Sequence, residues 1–143
     1  MTRYLCDTSC LVAAISSWHE HHERTRAELD RRSNRGDTLV LAGHSLVETY
    51  SVLTRLPAPH RLRASDALAA IEANWSSAPV VQLTGTETWA ALTEAVRLET
   101  VGGRTYDTLI ARTALKARAE TILTWNVRDF APFGSQIRIE APG

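Results

Sequence analysis

The chain has 143 residues, 44% of them hydrophobic and 22% charged, and its 16 Lys plus Arg balance its 16 Asp plus Glu. That apolar fraction excludes a disordered chain, and no run reaches the ~20 apolar residues of a membrane-spanning helix. A neutral chain carries no basic surplus, so any grip on nucleic acid must rest on a local patch or on cations held by its acids. A length of this order is met by one domain, and residues 1–143 are read as a single unit.

The opening Met1-Thr2-Arg3-Tyr4-Leu5-Cys6-Asp7 meets an acid too early for a signal peptide, so a cytoplasmic protein is expected. Arg3 to Cys6 reads as a buried strand that meets a turn at Asp7-Thr8-Ser9. Leu11 to Ile15 continues into a helix. His19 to Arg32 is polar enough for an exposed helix. Leu39 to Ala42 is a second strand, and Ser45 to Leu56 a helix apolar nearly all round, stopped by Pro57-Ala58-Pro59. Another helix covers Ala64 to Ala73, and Pro79 to Leu83 is a third strand. Thr84 and Glu87 have the capping-box spacing at the start of a further helix. Gly102-Gly103 ends that helix, and Tyr106 to Ala119 forms the next. Thr121 to Thr124 is a fourth strand, and Gln136 to Ile139 alternates as an edge strand does. Strands that are short apolar runs, alternating with helices, predict an α/β fold. The expected form is three layers, α/β/α, around a mostly parallel sheet of about five strands.

In such sheets ligands sit beyond the carboxyl ends of the strands. Four acids fall there: Asp7 after strand one, Glu48 in the helix after strand two, Asp107 opening the helix before strand four, and Asp129 in the loop after it. Each alone has an ordinary explanation, such as Asp7 capping a helix. Glu48 is harder to explain away, because no Lys or Arg stands one turn from it to balance its charge. Four clustered carboxylates repel one another unless a cation neutralises them. An all-oxygen set suits Mg²⁺ or Mn²⁺, ions that serve phosphodiester hydrolysis.

Asp7-Thr8-Ser9, Glu48, Tyr106-Asp107-Thr108-Leu109-Ile110-Ala111 and Thr124-Trp125-Asn126-Val127-Arg128-Asp129-Phe130 follow one another in an order that resembles the PIN-domain nucleases. Size and motif order are most similar to the VapC toxins of bacterial toxin–antitoxin pairs. The resemblance covers essentially the whole chain. It implies an Mg²⁺-dependent endoribonuclease, with Mn²⁺ able to substitute, that is blocked by a cognate antitoxin and forms a homodimer. Carried over by position, Asp7, Glu48 and Asp107 match the three central acids. Asp129 is taken as the fourth, with Asn126 as a neutral ligand or substrate contact in its place. Asp7, Asp107 and Asp129 are then the metal ligands, and Glu48 binds metal-bound water or a second ion. The hydroxyls of Ser9 and Thr124 stand behind the ligands or on the phosphate. Water attack on phosphorus leaves 5′-phosphate and 3′-hydroxyl ends. The alternative is a catalytically silent PIN-like domain that binds RNA or protein.

Other features are weaker pointers. Arg24, Arg26, Arg31, Arg32 and Arg35 offer phosphate contacts, against a plain solvated face balanced by Glu20, Glu23, Glu28 and Asp30. His19 and His22, three apart in a cluster with His21, Glu20 and Glu23, would share a helical face and could take zinc, but such a site needs further ligands and the segment reads as freely solvated. Two cysteines, Cys6 and Cys10, are too few for a disulfide framework and read as buried thiols. Trp125 sits beside the proposed site and is the tryptophan most worth testing there. A phosphoacceptor module would want a Lys after the last strand, and the sole Lys, Lys116, is in a helix. An Asp-nucleophile phosphatase would place a second Asp where Ser9 stands.

Overall fold

Arg3 to Cys6 forms the central strand, β1, of the computed structural model, which describes residues 1–143. Its neighbours are β2 (Thr38–Ala42) and β4 (Thr121–Leu123), with Leu5 opposite Val40 on one side and Ile122 on the other. β3 (Val80–Val81) flanks β2, and β5 (Arg138–Glu140) flanks β4. All pairings are parallel, in the order β3-β2-β1-β4-β5. The expected five-stranded parallel sheet is present, with β5 at its edge.

Alternation along the strands sorts the core into two layers. Tyr4, Cys6, Leu41 and Leu123 face one side, where they meet α1 (Thr8–Ile15), α2 (His22–Asn34), α3 (Gly43–Arg55) and α4 (Ala64–Trp75). Leu5, Ala42 and Ile122 face the other side, against α6 (Thr105–Lys116) and α7 (Val127–Phe130). Ala111 and Ala114 of α6 are fully buried, and their small side chains let that helix lie close to the sheet. α5 (Gly85–Arg97) packs on α6 and begins at the predicted capping box, with Thr84 and Glu87 bonded reciprocally. No helix is long and apolar enough to cross a membrane.

Several sequence expectations need correction. The third strand is two residues long rather than five, and the fifth lies two residues later than its alternation suggested. The polar stretch from His19 becomes helical only at His22, and the resulting α2 is not an exposed helix. Thr25, Glu28, Leu29 and Arg32 turn inward. Arg32, only 6% exposed, donates to Glu28 at 2.7 Å and to Glu140 of β5 at 3.0 Å, while its guanidinium lies over the Tyr4 ring. A charge so buried is retained because each polar group finds a partner. α3 is also not apolar all round. Ser45, Thr49 and Leu53 form its buried stripe, whereas Val47 is 71% exposed on the opposite face.

Arg31 and Arg32 both reach Glu28, but the Arg31 side chain is 55% exposed and that of Arg32 only 7%. Arg32→Ala is therefore expected to cost about 3 kcal/mol, because it removes the buried guanidinium that joins Glu28 to Glu140 and packs on Tyr4. Arg31→Ala should change stability by less than about 1 kcal/mol. Urea unfolding of the two variants checks this, and equal losses would refute the assignment.

Candidate active site

β1 delivers its last residue, Cys6, to the middle of the sheet edge, and Asp7 follows as the N-cap of α1. Asp7 Oδ1 accepts hydrogen bonds from the Cys10 amide (3.1 Å) and the Ser9 hydroxyl (2.6 Å). Its Oδ2 accepts from the Thr124 hydroxyl at 2.6 Å. The capping role and the chemical role thus fall on the same carboxylate. Thr124 ends β4, so the bond ties together the carboxyl ends of two adjacent strands. The turn that follows is stitched to the same groups. The Asn126 amide donates to Thr124 Oγ1 at 2.8 Å, and the Trp125 amide donates to Ser9 Oγ at 3.0 Å. A carboxylate oxygen has about two acceptor positions, so Oδ1 is saturated while Oδ2 keeps one free.

The other three acids arrive on helices. Asp107 is in the first turn of α6. Glu48 is in the second turn of α3, one turn later than its sequence position suggested, because α3 starts at Gly43. Asp129 belongs to the short helix α7 rather than a loop, and Arg104 holds it there. The Arg104 guanidinium donates to the Asp129 carbonyl at 3.2 Å and lies 4.0 Å from its Oδ1.

The four charges feel one another. Asp107 is pushed up to about 6, first by burial and then by the charges of Asp129 and Asp7, with Glu48 adding and Arg104 opposing. Asp7 is also raised, by burial above all. The hydrogen bonds from Ser9, Thr124 and Cys10 pull it back, and Glu48 pushes it further up. As the side chains stand, no three His, Cys, Asp or Glu residues close around a single point. The site is a shared basin of negative charge, not a finished coordination shell. Its donors are all oxygens, one of them the free position on buried Asp7, and that set fits a hard divalent cation.

Ser9, Glu48, Trp125 and Asn126 line a groove of about 490 Å³ alongside Asp7. Asn126 therefore faces the groove, while Asp129 is the residue whose charge acts on Asp107. His19 and His22 do not share a helical face. His19 precedes α2, and His22 Nδ1 lies 2.8 Å from the Ala13 carbonyl.

Three residues that the sequence offers only as a pocket histidine, His44, and as phosphate-binding arginines, Arg55 and Arg104, take up definite positions near the acids. His44 Nε2 is buried, has no hydrogen-bond partner and lies 3.7 Å from Glu48 Oε2. Its ring stacks on Tyr106, the neighbour of Asp107, with centroids 4.8 Å apart. Arg55 reaches the groove from two turns beyond Glu48. The spacings of four and seven residues along α3 are the signals that place His44, Glu48 and Arg55 on one helix face. For Arg104, folding alone supplies the link to Asp129, 25 residues away.

Comparisons with known proteins bear on the fold and the family. The sequence model of the PIN domain matches residues 4–131. Ribonuclease VapC40 of Mycobacterium tuberculosis is 39% identical over 134 residues, covering 94% of this chain and 93% of that protein. The crystal structure of M. tuberculosis VapC20, described as a Sarcin-Ricin loop cleaving toxin, superposes with a TM-score of 0.70 at 20% identity. That match covers 90% of this chain and 94% of VapC20. VapBC2 from Rickettsia felis, solved with a DNA fragment from its promoter, gives 0.72 at 18% identity and covers 99% of both chains. The two structural matches establish the fold, and the family model and the sequence relative establish membership: the chain belongs to the PIN domain family and, within it, to the VapC group.

Proposed function

We propose that this protein is a metal-dependent endoribonuclease, the toxin of a toxin–antitoxin pair, that hydrolyses phosphodiesters of RNA. The observation that carries the reading is the meeting of Asp7, Glu48, Asp107 and Asp129 at the carboxyl ends of β1 and β4, with Asp7 clamped by Ser9 and Thr124. The relative VapC40 is named a ribonuclease, and the R. felis relative is a VapBC assembly. Both support an RNA substrate and an antitoxin partner. A homodimer is part of the same proposal.

Asp7, Asp107 and Asp129 would hold Mg²⁺, or Mn²⁺ in its place. When bound, such an ion lowers the pKa of water and offsets charge on the departing oxygen of a phosphodiester. Asp7 offers the free position on Oδ2, and its two hydroxyl donors keep that oxygen from turning away. Glu48 orients water from the far side of the basin, with His44 behind it. Arg55 and Arg104 stand at the margins, where they can meet phosphate oxygens. Asn126 contacts substrate from the groove. The products carry 5′-phosphate and 3′-hydroxyl ends.

The test is cleavage of a mixed RNA pool by the purified chain. Cutting is expected with Mg²⁺, is expected to stop with EDTA, and is expected to be lost in Asp7→Asn and Asp107→Asn. Cutting by Asp7→Asn at the wild-type rate would overturn the reading. No cutting by folded, antitoxin-free protein on any RNA would favour a binding role. Thr124→Val removes the clamp on Oδ2 together with the acceptor of the Asn126 amide and should lower the rate by about 10–100-fold, as loss of a group orienting a metal ligand does.

Charge crowding gives a second measurement that needs no RNA. The Asp107 carboxyl titrates near 6 in the folded chain and near 3.8 when unfolded. Its contribution to stability is therefore present below about pH 4 and is lost as pH rises through 6. Metal-free Asp107→Asn should melt a few degrees above the wild type at pH 8, and the difference should vanish near pH 4. Mg²⁺ should raise the melting temperature of the wild type at pH 8 and leave that of Asp107→Asn nearly unchanged. A wild type that is indifferent to Mg²⁺ at pH 8 would count against the ion.

A further inference from the structure

The groove beside Asp7 has a second wall that the carboxylate chemistry does not use. It holds the rings of His19, His21 and Trp125, and the row of rings continues past the groove to Trp18 and His60. His60 stacks on Trp18, with centroids 4.2 Å apart and planes at 21°. Trp18 meets His19 at 5.6 Å and 44°, and His19 meets His21 at 5.6 Å and 42°. His21 stacks on Trp125 at 3.8 Å and 10°. Five rings from three separate segments thus run in one row, from the loop after α3, across the loop between α1 and α2, to the end of β4.

The outer pairs are face-to-face stacks and the inner steps are tilted contacts, while Trp18 remains 45% exposed. The row is also firmly held. The Trp125 indole N–H donates to Thr25 Oγ1 at 2.9 Å, and its amide donates to Ser9, the residue that clamps Asp7. His19 Nδ1 accepts from the His21 amide at 3.0 Å, which leaves the ring proton on Nε2. Burial, and then the neighbouring His21, keep the His19 ring below the usual imidazole range, so it is uncharged at neutral pH.

Arg24 lies over the Trp125 ring at 5.2 Å and Glu20 stands 3.5 Å from His21, so the row has a charge of each sign at its Trp125 end, while Trp18 and His19 offer ring faces beside the site. Nucleobases stack on aromatic and imidazole planes, and each such contact contributes about 1–3 kcal/mol. A phosphate would seek cations, and a buried peptide face would not be lined with imidazole edges. The row also answers the neutral charge of the chain, since stacking needs no basic surplus.

We propose that Trp18 and His19, backed by the stacked His21–Trp125 pair, form a base-stacking site that holds unpaired nucleobases on one side of the phosphodiester positioned at the carboxylates. The proposal rests on the nuclease reading and deepens it. The row grips the bases adjoining the cut, and the acids act on the phosphate between them. Duplex RNA, whose bases are already stacked, gains nothing from the row.

The test measures binding separately from cutting. The full chain carrying Asp7→Asn is titrated with a fluorescein-labelled single-stranded 12-mer RNA, the same RNA as a duplex, and the 12-mer with abasic central positions. Wild-type cleavage is followed in parallel. In the Asp7→Asn chain, adding Trp18→Ala or His19→Ala should weaken single-strand binding by about 5- to 100-fold. Duplex and abasic binding should stay within twofold. Trp18→Phe and His19→Phe, which keep a ring, should retain most of the affinity. The loss should be nearly independent of salt, unlike the loss of a phosphate contact. Unchanged single-strand affinity in the alanine variants, with wild-type cleavage intact, would overturn the stacking site and leave the nuclease reading standing. Equal losses on all three probes would assign the rings a structural role and overturn it as well. Failure of the wild type to cut and of the Asp7→Asn chain to bind any RNA would remove both.

Discussion

Everything at this sheet edge depends on the clamp around Asp7. A carboxylate that is 4% exposed is costly to ionise, and Asp7 is stabilised by three donors rather than by a neighbouring cation. The donors come from both sides of it in space. Cys10 and Ser9 belong to the helix that follows β1, and Thr124 belongs to the end of β4. The strand order places β1 and β4 side by side where the chain direction across the sheet reverses, so the crevice at their carboxyl ends is built into the topology. The same hydroxyls then pass the constraint outward. Thr124 and Ser9 accept the amides of Asn126 and Trp125, and these shape the groove wall.

Part of this was legible in the residues and part was not. The alternation of short apolar runs with helical stretches reported the parallel sheet, because a strand covered on both faces needs no polar side. The acids were legible for a related reason, since a polar residue directly after a buried strand must lie at its carboxyl end. The partner of Asp7 was harder. Thr124 read as the last residue of a strand, and only the pairing of β4 with β1 gives its hydroxyl a target. Arg32 went unread because a helix rich in Arg and Glu looks solvated, and its burial depends on Glu140 reaching it from 108 positions away. α3 misled in the opposite direction. Val47 and Tyr50 are apolar, yet they lie opposite the Ser45–Thr49–Leu53 stripe, which buries hydroxyls in their stead.

That exposed face is a feature in its own right. Val47 and Tyr50 join Leu68 and Val80 around an apolar hollow of about 400 Å³ between α3 and α4. It lies on the same helix as Glu48, His44 and Arg55 but on a different face. α3 thus carries acid and base on one side and an oily surface on another. The ring row is a third kind of surface, aromatic without being greasy. A neutral chain of modest size therefore presents three chemically distinct faces, and its zero net charge conceals a strong division of labour.

The clamp also has a consequence in time. The hydroxyl that secures Asp7 Oδ2 lies 117 positions further along the chain. Closing so long a loop is entropically slow and cannot begin until β4 exists. Until β4 docks on β1 the chain therefore carries an acid without its crevice and three further acids without a common basin. A site assembled from segments so far apart comes into being only when the sheet that joins them has closed.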